Sequence, residues 1–213
     1  MSATPAAPLT IAVPRGALLR ETLDALDGLG VDTSEVRAND RKLLFHDVGI
    51  VTMRPSDVPT YVEAGAADIG FTGKDVLMEQ SERNVYELLD LGYGRCLMVM
   101  ATVAGEDPAQ EALRRLGVMR IATKYPKIAA RHFERTGRQA EIVEVKGSVE
   151  LAPLTGLADG IVDLTATGTT LRENGLVVRE EISVATARLI ANPVAHKLKA
   201  AAIDDVVERL RAA

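Results

Sequence analysis

Residues 161–178, IVDLTATGTTLRENGLVV, place an apolar run at each end of a short polar segment. Such runs are typical of short β-strands. With Leu164 ending a strand and Thr170 beginning a helix, the residues between them form a strand-to-helix loop. Asp163 stands at the end of the first strand, and the loop carries Gly168 and hydroxyl-bearing residues: Thr165, Thr167, Thr169 and Thr170. The succession of strand, loop, helix and strand predicts an α/β fold.

The same alternation of apolar runs and amphipathic stretches extends along the chain. Strands are predicted at 9–13, 43–48, 68–71, 96–103, 119–123, 141–145, 161–164 and 176–178. Helices are predicted at 17–30, 57–66, 109–117 and from 193 through 210. Strands separated by helices favour parallel sheets with helices on their faces.

A two-domain organisation follows from the run at 96–103, which is nearly all apolar, as in a buried strand. A second series of strands and helices starts there. We therefore expect lobe I to comprise residues 1–92 plus 180–213, and lobe II to comprise residues 93–179 with the threonine loop. Two lobes joined in this way leave a cleft between them, where ligands commonly bind.

The composition narrows the class of protein. The 213 residues are 47% hydrophobic with a net charge of −5, which argues against a nucleic-acid-binding surface. The single cysteine, Cys96, excludes an internal disulfide and favours a reducing compartment. Residues 1–13 lack the basic and apolar regions of a secretory signal, and no run approaches the roughly 20 apolar residues of a membrane span. We expect a cytoplasmic protein.

The loop after Asp163 has the chemistry of a phosphate site. Backbone N–H groups at the start of a helix favour an anion, Gly168 permits close approach, and threonine hydroxyls add donors. A carboxylate beside such a loop must accept from sugar hydroxyls or face a cation, so the combination predicts a sugar phosphate. A threonine-rich helix cap, with Asp163 capping its own turn, is the structural alternative, and composition alone leaves both open.

Residues 147–176, GSVELAPLTGLADGIVDLTATGTTLRENGL, resemble the signature of ATP phosphoribosyltransferase, the enzyme that begins histidine biosynthesis. That signature has a Glu, a Gly six residues later, an Asp, a Ser/Thr-Gly pair, and then a Thr and a Leu. The matching residues are Glu150, Gly156, Asp163, Thr167, Gly168, Thr170 and Leu171. The resemblance extends to IAVPRGAL at 11–18 and to MRPSDVPTYVEAGAADIGFTGKDVL at 53–77.

The resemblance implies two α/β lobes of the periplasmic-binding-protein type II, with the active site in the cleft between them. It implies transfer of the 5-phosphoribosyl group from 5-phosphoribosyl 1-pyrophosphate to N1 of ATP, with Mg²⁺ carried on substrate oxygens rather than in a protein cage. The chain is similar to the short form, which lacks a C-terminal regulatory domain. The implied partners are a second copy of the chain and a regulatory subunit similar to histidyl-tRNA synthetase, with neither nucleic acid nor membrane.

The resemblance also assigns candidate site residues. The expected catalytic residues are Arg15, Arg54, Glu150 and Asp163. The residues expected to bind 5-phosphoribosyl pyrophosphate are Asp163, Thr165, Ala166, Thr167, Gly168, Thr169 and Thr170. The residues expected to bind ATP are Arg15, Gly16, Arg54, Gly73, Lys74, Asp90, Leu91 and Gly92. Lys124 is a further candidate for phosphate, and no protein metal ligands are expected. The alternatives are a helix-start carboxylate for Glu150 and solvated surface charges for the arginines and Lys74.

Two other functions compete with this interpretation. A ligand sensor or solute-binding domain has the same two-lobed architecture, but a transported-solute binder needs an export signal, and a sensor leaves the threonine loop unexplained. An eight-residue leader also leaves no room for the DNA-binding domain of a regulator. Another class of phosphoribosyltransferase has a similar acidic and threonine-rich loop on a single Rossmann-like domain. In this chain the motif lies late, near residue 163, which favours the histidine-pathway enzyme.

Overall fold

The computed structural model of the chain describes residues 9–212. Residues 1–8 lie outside the described residues. The expectations about a secretory signal and a preceding domain rest in part on that leader. The chain divides into two compact units. Unit 1 runs to Gly94 and resumes at Thr186, and unit 2 spans Arg95–Ala185.

The strands are β1 (Ile11–Pro14), β2 (Leu44–Phe45), β3 (Ile50–Met53), β4 (Ile69–Gly73), β5 (Tyr86–Asp90), β6 (Cys96–Val103), β7 (Met119–Thr123), β8 (Ala140–Glu144), β9 (Gly160–Thr165), β10 (Leu176–Ala185) and β11 (Ala187–Ala191). The helices are α1 (Leu19–Gly28), α2 (Ser34–Ala38), α3 (Val58–Glu63), α4 (Lys74–Glu79), α5 (Pro108–Leu116), α6 (Pro126–Arg135), α7 (Leu151–Leu154), α8 (Thr169–Glu173), α9 (Pro193–Leu198) and α10 (Ala200–Ala212), with a 3₁₀ helix at His46–Val48.

Unit 1 contains a six-stranded sheet in the order β2-β3-β1-β4-β11-β5. The central strand β1 runs parallel to β3 and β4, and all four of its residues are buried. Helix α1 buries Leu23 and Leu26 in the same core as Phe45 and Phe71, as the apolar spacing of this helix predicts. Parallel strands place their carboxyl ends at one edge of the sheet, where ligand-facing residues concentrate.

Unit 2 contains a five-stranded sheet in the order β10-β6-β9-β7-β8. Strand β9 is parallel to β7, which is parallel to β8, whereas β6 is antiparallel to both β9 and β10. One core cluster of this unit joins Val99 on β6 and Ile161 on β9 to Leu171 on α8. The short helix α8 is thereby anchored through Leu171, and the turn that precedes it is held at the end of β9.

Several elements differ from the sequence predictions. The predicted strand at 43–48 ends at Phe45 and continues as the 3₁₀ helix, and β3 and β5 were not predicted. Strand β10 runs to Ala185 because it pairs with β6 along its length, despite the charged residues in REEISV that mask its pattern. The second crossing between the units therefore lies after Ala185 rather than near 180.

The predicted C-terminal helix is two helices, separated at Lys199. Lys199 leaves helical geometry with φ −122°, and its ammonium lies 2.8 Å from a carboxylate oxygen of Asp68, beside the start of β4. Within residues 9–212, no helix combines the length and the apolar character that crossing a membrane requires.

Candidate functional site

The carboxyl ends of three parallel strands gather the predicted residues of unit 2. Lys124 directly follows β7, Glu150 follows β8 at the start of α7, and the threonine turn follows β9. The local sequence contributes to this arrangement because each of these short strands ends at a polar residue. The three positions come from distant parts of the chain and meet at one sheet edge.

Asp163 is a buried carboxylate at this edge, only 5% exposed. Its Oδ1 accepts the backbone N–H of Leu164 at 2.8 Å, and its Oδ2 lies 3.3 Å from Nζ of Lys124. Burial raises the pKa of Asp163, the Lys124 charge and the Leu164 N–H lower it in part, and the negative charge of Glu150 raises it again. Burial dominates, so the pKa of Asp163 lies above its ordinary value, a property that concentrates at functional sites.

The turn after β9 is ordered by its own threonines. Thr165 Oγ1 accepts the N–H of Gly168 at 2.8 Å, and the hydroxyls of Thr167 and Thr169 lie 2.9 Å apart. Gly168 caps α8 in the left-handed region, with φ 71°, which a residue with a side chain adopts only at a cost. The loop predicted between Leu164 and Thr170 is therefore present, and the helix begins at Thr169, one residue earlier than expected.

This turn presents donors to solvent. Ala166, Thr167 and Thr170 are exposed, and none of their backbone N–H groups has a hydrogen-bond acceptor within residues 9–212. With five residues, α8 is too short for its dipole to contribute much, so an anion would be bound mainly by the N–H and hydroxyl donors. Three N–H groups and neighbouring hydroxyls in one exposed turn form a set of donors that suits a phosphate.

The capping alternative for Asp163 does not describe this geometry. The carboxylate accepts from Leu164 within its own strand, whereas Gly168 at the turn is capped by Thr165. Thr165 thus has the role that the alternative gave to Asp163. The Asp163 carboxylate does not cap the turn, and Lys124 and the Leu164 N–H offset only part of the electrostatic cost of its burial, which a bound ligand can offset further.

The predicted residues of unit 1 lie at the carboxyl ends of β1, β3, β4 and β5. Arg15 follows β1, and its guanidinium donates to Thr52 Oγ1 at 2.9 Å, to the Lys42 carbonyl at 2.6 Å and to the Asp40 carbonyl. It therefore holds the segment at 40–42 against the sheet edge. Gly16 follows it with φ 85°, and an added Cβ there would meet nothing within 4 Å.

Arg54 follows β3 and has a different environment. It is exposed, and among the described residues its guanidinium has no hydrogen-bond or ion-pair partner. An unpaired guanidinium at the carboxyl end of a parallel strand remains available to an anionic ligand.

Gly73 and Lys74, both expected to bind ATP, lie at the junction of β4 and α4. Strand β4 continues past Phe71 through Gly73, and α4 begins directly at Lys74, because β11 pairs with β4 as far as Gly73. The Lys74 N–H donates to the Thr186 carbonyl at 2.9 Å, and its ammonium lies 2.6 Å from a carboxylate oxygen of Glu87. Both donors are therefore engaged within unit 1.

The segment at 90–92 is held by a charged network. The Asp90 carboxylate accepts from Thr186 Oγ1 at 2.8 Å and from the Gly92 N–H at 3.0 Å, and it pairs with Arg188. Burial alone would raise the pKa of Asp90, but these hydrogen bonds and the Arg188 charge lower it below its ordinary value. Leu91 packs against the apolar core of unit 1.

Four residues around the predicted positions were missed as partners by the sequence reasoning: Glu87, Arg172, Thr186 and Arg188. Arg188 donates to Glu87, which lies 101 positions away in the chain, so no local pattern could reveal the pair. Arg172 contacts the threonine turn and follows Gly168 by four positions, a spacing at which helical side chains meet the preceding turn. That spacing was the signal in the sequence that could have revealed the contact.

Among residues 9–212, no group of three or more His, Cys, Asp or Glu side chains is arranged to hold a metal ion.

Comparison with known sequences points to one family. The family model described as HisG: ATP phosphoribosyltransferase matches residues 54–212. A protein named ATP phosphoribosyltransferase from Rubrobacter xylanophilus is 54% identical over 199 residues, covering 92% of this chain and 91% of that protein. Another of the same name from Geobacillus sp. is 47% identical over 206 residues, covering 95% and 97%.

Comparison with solved structures agrees. The structure described as the ATP phosphoribosyl transferase (HisG:HisZ) complex from Thermotoga maritima has a TM-score of 0.79 at 36% identity, covering 95% of this chain and 96% of that chain. The periplasmic aliphatic sulphonate binding protein SsuA from Escherichia coli has a TM-score of 0.59 at 12% identity, covering 95% and 71%. The second likeness concerns the fold alone, and it confirms the prediction of a periplasmic-binding-protein-like α/β architecture.

Proposed function

The chain belongs to the ATP phosphoribosyltransferase family, and we propose that Asp163 and the turn at 165–170 hold its 5-phosphoribosyl substrate. The reaction of the family is transfer of the 5-phosphoribosyl group from 5-phosphoribosyl 1-pyrophosphate to N1 of ATP, the first step of histidine biosynthesis. Membership of this family favours the enzyme over a ligand sensor with the same architecture.

One observation carries the proposed placement of the substrate. A carboxylate that is 5% exposed ends β9, and the next residues form an exposed turn with unpaired N–H donors. The donors suit the 5-phosphate, and the carboxylate suits the ribose hydroxyls a few ångströms away. Ribose hydroxyls donating to Asp163 would replace the Lys124 ammonium, or join it, and would offset the cost of burying the charge.

The chemistry needs charge stabilisation and orientation more than a nucleophile. Adenine N1 forms a bond to the anomeric carbon as the C–O bond breaks, and the departing pyrophosphate takes the bonding electron pair. The ribose becomes positively charged in the transition state, and the carboxylates of Glu150 and Asp163 favour that charge electrostatically. The negative charge of Glu150 contributes to the raised pKa of Asp163, which supports a shared electrostatic role for the two carboxylates.

Mg²⁺ belongs to this proposal as an ion carried by the substrate. The residues fit that assignment, because Asp163 and Glu150 supply carboxylate charge at the proposed ribose site and Mg²⁺ prefers oxygen ligands. Bound there, Mg²⁺ would neutralise charge on the pyrophosphate and so assist its departure. Asp163 and Glu150 would be its neighbours on the protein side.

We assign the phosphates of ATP or pyrophosphate to unit 1. Arg54 is the best-supported residue, since its guanidinium is exposed and unpaired among the described residues. Arg15 would act through the segment at 40–42, whose carbonyls it binds. The other proposed ATP contacts are Gly16, Gly73, Lys74 and the segment at 90–92. The side chains of Lys74 and Asp90 already have partners in unit 1, so these residues would contact ATP mainly through their backbone.

The proposal extends to partners and location. The solved Thermotoga maritima structure is a HisG:HisZ complex. We extend that association to this chain as a hetero-oligomer with a HisZ-like regulatory subunit. A homodimer and a cytoplasmic location complete the proposal.

The test is an initial-rate assay in which ATP, 5-phosphoribosyl 1-pyrophosphate and Mg²⁺ are mixed with the protein, alone and with the regulatory subunit. We expect an absorbance gain near the purine band and expect Asp163→Asn to weaken binding of the sugar far more than binding of ATP. Asp205→Asn on the exposed face of α10 is the matched control. Equal effects on both substrates, or none, would remove the role proposed for Asp163.

A further inference from the structure

Arg172 directs its side chain at the threonine turn. Its Nη1 donates to the carbonyl of Thr167 at 2.9 Å, and its Nη2 donates to Thr169 Oγ1 at 3.0 Å. Its backbone N–H donates to the carbonyl of Gly168 at 3.0 Å. No ion pair from this guanidinium to a carboxylate occurs within residues 9–212. All of its observed contacts therefore go to three consecutive residues of the turn.

These contacts orient the hydroxyls of the turn. Thr169 Oγ1 accepts from Arg172, so its own proton is directed elsewhere, and Thr167 Oγ1 lies 2.9 Å away. Thr167 Oγ1 also accepts the N–H of Thr169 at 3.4 Å. Because each hydroxyl oxygen receives a hydrogen bond and one hydroxyl proton lies between the two oxygens, one hydroxyl proton is left for an anion.

Gly168 gives this guanidinium its space. A Cβ built on Gly168 would lie 2.9 Å from Nη1 of Arg172, closer than a carbon and a nitrogen normally approach. The left-handed φ therefore favours glycine at this position, and a side chain there would displace the Arg172 guanidinium.

We infer that Arg172 is a positioning residue for the 5-phosphate turn, a role that rests on the function proposed above for that turn. It fixes the Thr167 carbonyl and the Thr169 hydroxyl, and so holds in one shape the turn that carries the unpaired N–H groups of Ala166, Thr167 and Thr170. Its guanidinium also places positive charge behind the turn, which favours a doubly charged phosphate over a neutral ligand. Arg172 acts through the turn and not on the reacting atoms.

The test compares Arg172→Ala and Arg172→Lys with Glu173→Ala, an exposed neighbour on the same helix. We expect Arg172→Ala to raise KM for 5-phosphoribosyl 1-pyrophosphate about tenfold, as loss of charge-assisted hydrogen bonds does. KM for ATP and kcat should stay within about twofold. Arg172→Lys should recover part of the affinity, since an ammonium keeps the charge but not the two-pronged geometry, and Glu173→Ala should match the wild type.

The outcomes separate this inference from the proposed function. If Asp163→Asn weakens binding of the sugar but Arg172→Ala does not, Arg172 is only an exposed capping side chain and the inference is overturned. If Arg172→Ala raises both KM values together while the melting temperature falls, its role is structural and the inference is overturned. If neither Arg172→Ala nor Asp163→Asn affects the sugar, the proposed function of the turn fails with it.

Discussion

Replacing Gly168 with alanine perturbs the threonine turn at the point where its geometry is most constrained. The residue has φ 71° and ψ 4°, and an alanine there costs about 1–2 kcal/mol because its Cβ crowds the backbone. The new Cβ would also lie 2.9 Å from Nη1 of Arg172, so the guanidinium must move and loosen its two bonds to the turn. The arginine tip is flexible, so the second effect falls on the order of the turn rather than on the core.

The energetic cost of Gly168→Ala can lower either the stability of the protein or its affinity for the sugar. If the turn keeps its shape, the free energy of unfolding decreases by about 1–2 kcal/mol. If the turn relaxes instead, the same energy is lost from binding, and KM for 5-phosphoribosyl 1-pyrophosphate rises about 5- to 30-fold, since about 1.4 kcal/mol is tenfold. Displacement of Arg172 would loosen the turn and therefore favours the effect on binding, so we expect a rise in KM for the sugar with a small loss of stability.

Gly175→Ala is the matched control for this experiment. Gly175 has φ 69° at the other end of α8, and a Cβ there would meet nothing within 4 Å. It therefore carries the same backbone cost without touching the turn. Steady-state kinetics and thermal unfolding of both variants separate the two effects. If Gly168→Ala and Gly175→Ala have the same KM for the sugar, the shape of the turn is irrelevant to binding and the reasoning is refuted.

Three further variants test the charged residues. Because burial places the pKa of Asp163 above its ordinary value, the protein loses stability as pH rises through that pKa and the carboxylate ionises. Asp163→Asn should therefore raise the melting temperature at neutral pH while weakening binding of the sugar. A lower melting temperature would indicate a structural role for Asp163. Lys124→Met removes a charge that lowers the pKa of Asp163, so this pKa should rise further in the variant. On acidification, KM for the sugar should then begin to rise at a higher pH in the variant than in the wild type. An unchanged pH profile would contradict the pairing of Lys124 with Asp163. Arg54→Ala should lower turnover with stability unchanged within about 1 kcal/mol, as at an exposed site; a large loss of stability would make Arg54 structural.

The parts of the fold that the sequence predicted are those with strong local signals. The strand, turn and helix around Asp163 follow from an apolar run, a glycine and a set of threonines, all adjacent in the chain. Helix α5 begins at Pro108, one residue before its predicted start, and Asp107 caps it by accepting from the N–H groups of Ala109 and Gln110. Strand β5 was missed because YELLD is only five residues long, and the adjacent Leu88 and Leu89 break the alternation that marks a strand at the edge of a sheet.

The contacts of the site depend on pairings that only the tertiary structure reveals. Lys124 was a candidate for phosphate, yet its ammonium lies beside Asp163, and β7 and β9 must pair before the two residues meet. Lys74 was expected to bind ATP, but β11 pairs with β4 as far as Gly73, and the Lys74 ammonium forms an ion pair with Glu87. The sequence therefore predicted which residue types lie at the ends of strands. It did not predict which oppositely charged side chain each of them would contact.

The central claim is that the turn at 165–170 binds the 5-phosphate while Asp163 binds the ribose. A crystal structure of the protein with 5-phosphoribosyl 1-pyrophosphate tests it most directly. We predict the 5-phosphate within hydrogen-bond distance of the N–H groups of Ala166 and Thr167, with a ribose hydroxyl donating to Asp163. A sugar bound elsewhere, with the turn empty and Asp163 still paired only with Lys124, would contradict the account.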